Sequence, residues 1–239
     1  MSEGHDTGTA GTPPESVRDR LVTATIGLLA DGGPSEIKVR RIADEAGVST
    51  VAVYHHFGGV RELLEVVVAS GYRALQAALE NAAHADPDPG AQLFAMALAC
   101  REQAQGNPHL YDMMFGLSTR GTYRHVADAP EGGPAARFLE AYAVFADACH
   151  RLVRSGRIAV TEGQQVAAEL WSTVHGFVTL EVAGHFAQFA GPVADVLTPM
   201  AINHLVGMGD ERSRAERSAA TAVAWWDLEH AQDRLRNLR

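Results

Sequence analysis

Cations, hydroxyls and an imidazole gather between Lys38 and Arg61 of this 239-residue chain. Lys38, Arg40 and Arg41 come first, Thr50 and Tyr54 then carry hydroxyls, His56 carries an imidazole, and Arg61 follows Phe57 by four residues. Charged and hydroxyl side chains at this density suit phosphate oxygens and base edges. Val51 and Ala52, small and apolar, suit a thymine methyl group. Lys38 and Arg40 flank the start of an expected helix, whose N-terminal dipole adds to their attraction for phosphate. The competing use of Tyr54 and His56 is to close the core of their own small helical unit.

Other chemistries lack their residues. No Gly-x-Ser-x-Gly, P-loop or dinucleotide fingerprint occurs, and no paired-carboxylate motif stands out. Eleven histidines invite a metal, yet no His-x3-His, Cys-x2-Cys or Glu-x2-His spacing is present. The expectation is therefore a chain that is no enzyme, with no catalytic residue, no metal and no cofactor. Cys100 and Cys149 lie far apart in apolar surroundings, which suits a reduced, cytoplasmic protein. No apolar run is long enough to cross a membrane, and Met1–Pro14 has no apolar segment of the signal-peptide kind. Charge counts against nucleic acid: 20 basic side chains face 29 acidic ones, a net −9. Residues 1–77 hold 7 basic and 10 acidic groups, so only the Lys38, Arg40, Arg41 cluster interrupts an acidic field.

The elements that must position these residues read as helices throughout. Apolar spacing predicts a helix over 17–30, stopped by Asp31-Gly32-Gly33-Pro34. Ser35 is expected to open a second helix that ends at Gly47, and Ser49 to cap a short third through His56. A long helix follows over 60–81. Further helices are expected at 90–105, 108–116, 134–155, 162–187, 193–207 and 211–238, with a mobile loop over Thr119–Pro134. No alternating strand pattern survives, so the fold class is all-α. Within 35–57 the demands are those of a helix-turn-helix: small Ala43 at the crossing, Gly47 at a positive φ, and Val48, Val53 and Ile42 filling the wedge. The domains expected are a disordered tail at 1–14, a helix-turn-helix head at 15–60, a larger body at 61–209 and a helical extension at 210–239.

The run Arg40-x-Ile42-Ala43-x3-Gly47-Val48-Ser49-x4-Tyr54-x-His56-Phe57, with Glu62-Leu63-Leu64 after it, resembles the TetR (tetracycline-repressor-like) family of bacterial transcriptional regulators. Two weaker likenesses extend it: Trp171-x3-His175-Gly176 is similar to a signature of one C-terminal subtype, and Asn107–Gly116 to another element of that subtype. The resemblance implies a three-helix DNA-binding head on an all-α body that binds ligand and dimerises. Two positions depart from the pattern. Val60 replaces a common lysine, with Arg61 beside it as the substitute for a phosphate contact, and Lys38 replaces a common threonine.

A ligand-binding body needs an apolar cavity with a few placed polar groups. Phe94, Met96, Tyr111, Met114, Phe115, Tyr142, Phe145, Trp171 and His175 are candidates to line one, and plain core is the competing role for each. The helices over 162–187 and 193–207 carry Val166, Leu170, Val174, Phe177, Val178, Val193, Val196, Leu197, Ile202 and Leu205, with Gly176, Ala183 and Gly184 permitting close approach. They serve either a homodimer interface or the inside of one subunit. The sequence thus points to a regulator, a repressor released from a palindromic double-stranded DNA operator by a small, largely apolar effector. The alternative is a helical effector-binding or interaction protein whose DNA binding is weak or lost.

Overall fold

The computed structural model describes residues 15–116 and 132–236, with side chains through 231. The expected tail at 1–14 and nearly all of the expected loop at 119–134 lie outside the described residues. Among the described residues every regular element is helical. The chain divides into two compact units, Met1–Leu64 and Glu65–Arg239.

The first unit holds α1 (Val17–Gly32), α2 (Val39–Glu45) and α3 (Thr50–Phe57). Ser16 starts α1 by accepting from the Asp19 N–H at 3.1 Å, and Gly33 ends it at φ 72°. Helix α2 does not open at Ser35, where the sequence places its start. A 3₁₀ turn spans Gly33–Glu36, and the Ser35 hydroxyl donates back to the Gly32 carbonyl at 3.2 Å, so it finishes α1 instead of starting α2. The chain then runs extended through Lys38, and α2 begins at Val39. Gly47 closes α2 at φ 64°: its N–H reaches the Asp44 carbonyl at 3.1 Å and the Val48 N–H reaches that of Ala43 at 2.9 Å, a Schellman turn. Ser49 occupies the first position before α3, although its hydroxyl makes no capping bond. Leu21, Leu28 and Leu29 of α1 pack with Ile42 and Ala43 of α2 and Val53 of α3, all fully or nearly fully buried.

Helix α4 (Val60–Ala82) begins in the first unit and runs into the second, where α5 (Pro89–Gly106), α6 (Pro108–Met114), α7 (Pro134–Arg154), α8 (Gly163–Val182), α9 (Thr198–Gly207) and α10 (Arg212–Arg236) follow. A π-helical turn, Val193–Leu197, leads into α9. Gly90 to Cys100 is buried without interruption, because α5 is packed by α7, α8 and α10 on different sides. Helix α10 lies on α5 through Ala215, Ser218, Ala219 and Ala222.

One polar knot ties this unit together. Arg157, between α7 and α8, donates to Asp88 and Asp210 and, at 3.2 Å, to Ser218. Asp88 caps α5 at the Gly90 N–H (3.1 Å), and Asp210 accepts from the Glu211 N–H (2.8 Å). Glycine at 90 leaves room for the knot: a Cβ there would sit 2.6 Å from the Arg157 guanidinium and 2.7 Å from the Ser218 hydroxyl, so both groups would have to shift.

Helix α8 is shorter than the expected 162–187. Gly184 at φ 81° closes it, with the His185 N–H bonded to the Leu180 carbonyl at 2.9 Å. Val166, Leu170, Val174, Phe177 and Val178, with Leu197, Ile202 and Leu205, are buried inside the subunit. Helix α8 keeps Gly176 and Leu180 exposed, and Ala183 and Gly184 after it are exposed too.

Candidate functional site

The first unit presents its polar side chains outward from a rigid core. Val53 is the buried anchor of α3, and the residues on either side of it point away: Val51 is 70% and Tyr54 57% exposed. Leaving two large, partly apolar side chains in water is costly unless something covers them. Thr50 and Ala52 are half-buried on the same short helix, and His55 and His56 are exposed at its end with their rings 5.0 Å apart. Tyr54 and His56 therefore do not close the core of the unit.

The cations are placed differently from one another. Lys38, Arg40, Arg41 and Arg61 are all exposed. Arg41 is held by Glu36, Nε to Oε2 at 3.2 Å. Lys38 and Arg40 flank the first turn of α2, as expected. Arg18 went unnoticed in the sequence: its guanidinium lies 4.9 Å above the Phe57 ring at the end of α3. Its position 39 residues before Phe57 gives no local signal, and only the packing of α1 on α3 brings the two together.

The second unit concentrates its aromatic residues around one imidazole. The His175 ring on α8 lies 4.2 Å from Trp171 one turn earlier, 4.4 Å from Phe115 and 5.7 Å from Tyr111, centroid to centroid. Trp171 in turn meets Phe145 at 5.1 Å, Tyr142 at 5.3 Å and Phe138 at 6.2 Å, all on α7. Tyr72 of α4 joins through Phe138 and Phe115, and its hydroxyl donates to the Met114 carbonyl. Tyr72 and Phe138 were missed in the sequence; both fall on inward helical positions that periodicity alone cannot tell from plain core.

Electrostatics single out the imidazole. The Tyr111 hydroxyl is hydrogen-bonded to His175 Nδ1, while Nε2 is shielded from solvent and has no hydrogen-bonding partner among the described residues. Burial pushes the His175 pKa down to about 3, so the ring is neutral at pH 7, and burial pushes Tyr111 well above its ordinary value. The thiols of Cys100 and Cys149 are pushed up to about 12, also by burial, and are unreactive.

Of the residues expected to line a pocket, Tyr111, Phe115, Tyr142, Phe145, Trp171 and His175 come together in this cluster. Phe94 instead faces a neighbouring apolar cavity of about 30 Å³, which it lines with Phe145, Leu170, Val174, Leu197 and Leu205. That volume admits a water-sized object, far below the few hundred Å³ of a typical ligand site. Met96 is fully buried on α5, and the Met114 sulfur fills the space beside Gly71, 2.6 Å from where a Cβ would stand. Among the described residues no group of three histidine, cysteine or acidic side chains is placed to hold a metal, and no helix is long and apolar enough to cross a membrane.

Comparison with known proteins gives two family matches and a set of relatives. Residues 21–67 match the model of bacterial regulatory proteins of the tetR family, and residues 93–204 match that of the tetracyclin repressor-like C-terminal domain. The HTH-type transcriptional regulator SrpR of Pseudomonas putida is 37% identical over 62 residues, 26% of this chain and 29% of that protein. The HTH-type transcriptional repressor KstR2 of Mycolicibacterium smegmatis is 38% identical over 55 residues, 23% of this chain and 27% of that protein. The chain thus spans less than a third of the length of these curated relatives. A solved structure of a protein of unknown function from Rhodococcus sp. RHA1 is 25% identical with a TM-score of 0.71, covering 84% of this chain and all of that one.

Proposed function

Since this chain belongs to the tetR family of bacterial regulatory proteins, we propose that it is a DNA-binding transcriptional regulator of the repressing kind. It binds a palindromic operator through the first unit and leaves it when a small, largely apolar effector occupies the second. The observation that carries this reading is the outward face of α3, where Val51 and Tyr54 stand in water beside Thr50 while Val53 is the one fully buried side chain of the helix. In the duplex, Tyr54, Thr50 and His56 hydrogen-bond phosphates or base edges, Val51 and Ala52 meet thymine methyls, and Lys38, Arg40, Arg41 and Arg61 bind phosphate.

One recognition helix reads only a few base pairs, so the working form is a homodimer with two heads at helical-turn spacing. Exposed Gly176 and Leu180 of α8, with Ala183 and Gly184 beyond it, supply the close-approach surface for two copies of the 25.5 kDa chain. The effector site is the aromatic cluster around His175. The protein acts in the cytoplasm, where operator and effector meet.

The net charge of −9 favours a second reading, an effector-binding helical protein with weak or lost DNA affinity. One titration separates the two. A labelled duplex from upstream of the protein's own gene is followed by fluorescence anisotropy against increasing salt, with the parent and with Tyr54→Ala. The regulator reading expects parental binding that falls linearly in log–log with salt and a weaker Tyr54→Ala variant. A folded parent that binds neither this duplex nor any fragment of its neighbourhood at low salt leaves the second reading standing.

A further inference from the structure

His175 Nε2 is buried and has no hydrogen-bonding partner among the described residues, which constrains what belongs beside it. The Tyr111 hydroxyl and His175 Nδ1 share one hydrogen bond. Two arrangements satisfy that contact. With the hydroxyl donating, Nδ1 is the bare acceptor and the ring proton sits on Nε2, leaving a single unsatisfied N–H. With Nδ1–H donating, the hydroxyl proton and the Nε2 lone pair are both left without partners. Tyr111 stays protonated because burial opposes its ionisation, so a hydroxyl proton is present to be donated. The arrangement with one orphan is the lower in energy, since each buried polar group left unpaired is costly. His175 therefore offers an Nε2–H donor.

The surroundings of that donor are aromatic. Trp171 and Phe115 lie 4.2 and 4.4 Å from the imidazole centroid, and Tyr142 and Phe138 lie 5.3 and 6.2 Å from the Trp171 ring. Trp171, Phe115, Tyr142 and Phe138 are each only half-buried, unlike the fully covered α5 core next to them. Half-buried ring faces around a shielded donor that has no partner among the described residues suit a flat ring with one acceptor, which reaches Nε2 as the rings part to admit it.

We propose that the effector is a neutral, planar aryl compound carrying a carbonyl-type oxygen, which accepts a hydrogen bond from His175 Nε2–H while its ring packs among Trp171, Phe115 and Tyr142. This rests on the reading of the second unit as the effector site. An acceptor is required because a second donor would face the N–H and leave both unsatisfied. A neutral one is required because the environment that keeps the imidazole uncharged opposes a carboxylate in the same way. Tyr111 acts as a positioning residue, fixing the tautomer that points the proton outward.

The test uses shape-matched pairs. Acetophenone and α-methylstyrene differ in C=O against C=CH₂, and 2-acetonaphthalene and 2-isopropenylnaphthalene repeat the pair at larger size; benzoate supplies the anion. Affinities for the full-length parent come from calorimetry, and operator affinity is measured in the same mixtures. In at least one pair the ketone is expected to bind at least tenfold more tightly than its alkene, with benzoate weaker than acetophenone. His175→Phe removes the ketone preference, while His175→Gln, whose amide still donates, keeps part of it. Nitrogen NMR of the free parent at pH 7 checks the tautomer without any ligand and without a variant that has to fold.

Equal binding of ketone and alkene in both pairs, no binding of either pair to the folded parent, tighter binding of benzoate, or a ring proton found on Nδ1 would each overturn the proposal. Failure of the underlying reading looks different. Ketone-selective binding that leaves operator affinity unchanged keeps the ligand class and refutes release, whereas release by ketone and alkene alike keeps release and refutes the ligand class.

Discussion

The two units of this chain place their polar chemistry in opposite ways. In the first, α3 turns Tyr54, Val51 and His56 into solvent, and the core beneath is apolar except for Thr25, which is satisfied by the Leu21 carbonyl at 2.7 Å. In the second, the informative groups are inside: a neutral His175 with one nitrogen that has no partner among the described residues, and an Arg157 guanidinium locked between two carboxylates. A surface that reads a large, hydrated polyanion needs exposed donors on a stiff support, because the partner brings its own charge and much of the contact area. A site for a small molecule must supply the enclosure itself, so its polar groups are few and held by burial. The difference predicts how each unit fails when altered: the first by losing affinity at constant stability, the second by losing stability or selectivity.

The largest effect is expected at Arg157. Removing it leaves Asp88 and the fully buried Asp210 without their shared cation, with the Ser218 hydroxyl of α10 still donating to Asp88 and Arg214 standing 3.9 Å from Asp210. Breaking such a pair costs about 3–5 kcal/mol. At roughly 2–4 °C per kcal/mol for a unit of this size, Arg157→Met should melt ~6–20 °C below the parent. Calorimetry that finds the variant within 2–3 °C, about one kcal/mol, of the parent would show the knot to be decorative.

The next effect belongs to the first unit and should leave melting untouched. Tyr54→Ala and Arg40→Ala remove exposed side chains, so each is expected to keep the parental melting temperature and to lose about 1–3 kcal/mol of operator binding, some 5–150-fold. Arg40→Ala should in addition lower the salt slope by about one counterion. Anisotropy titrations at several salt concentrations read both quantities. A variant that loses stability in step with affinity would erase the contrast between the units.

Legibility in the sequence follows the range of the interactions. The helix-turn-helix was readable because its requirements are local: Gly47 must take a positive φ within the turn, Ala43 must be small, and Val53 must face in while Val51 and Tyr54 face out. The miss at Ser35 was a choice between two local partners, since a hydroxyl between helices can bond forward or backward, and here it bonds back to Gly32. In the body, the aromatic positions were visible but their roles were not. Trp171 and His175, one turn apart, were legible as a pair, whereas Tyr72 and Phe138 reach them only through the packing of α4 and α7. The apolar stripes of α8 and α9 showed that something is covered there, and only the fold reveals that the subunit covers most of it by itself.

A pH experiment sharpens the contrast on the side of the body. The folded-state pKa of His175 is depressed to about 3 against 6.5 for a free imidazole. The unfolded chain therefore takes up a proton near pH 6.5 that the folded body refuses until about pH 3. The stabilisation tied to the neutral ring is complete above pH 6.5 and is lost as pH falls through that window. One proton contributes a slope of at most about 1.4 kcal/mol per pH unit. Urea midpoints between pH 6.5 and 5 should fall more steeply for the parent than for His175→Gln. Parallel curves would mean that the imidazole is not held neutral by its surroundings.

The smallest effect concerns the pairing of Arg41 with Glu36, and it goes in the opposite direction from the others. Both side chains lie at the surface, with 58% and 35% of their areas exposed, and the Nε–Oε2 separation is 3.2 Å. An exposed pair of this kind is worth at most about 1 kcal/mol to the fold, so breaking it should barely move the melting temperature. For a DNA phosphate, however, Glu36 is a competitor: it occupies the Arg41 guanidinium and adds a negative charge two residues before Lys38. Glu36→Gln should therefore tighten operator binding by about two- to fivefold at low salt, corresponding to ~0.4–1 kcal/mol, with the gain fading as the Debye length shrinks toward ~3 Å at 1 M. Arg41→Ala in the parent should cost less affinity than Arg40→Ala, and the gap should close when both are measured in the Glu36→Gln background. If Glu36→Gln weakens binding, Glu36 is aligning Arg41 for phosphate instead of withholding it, and the ion pair belongs to the interface.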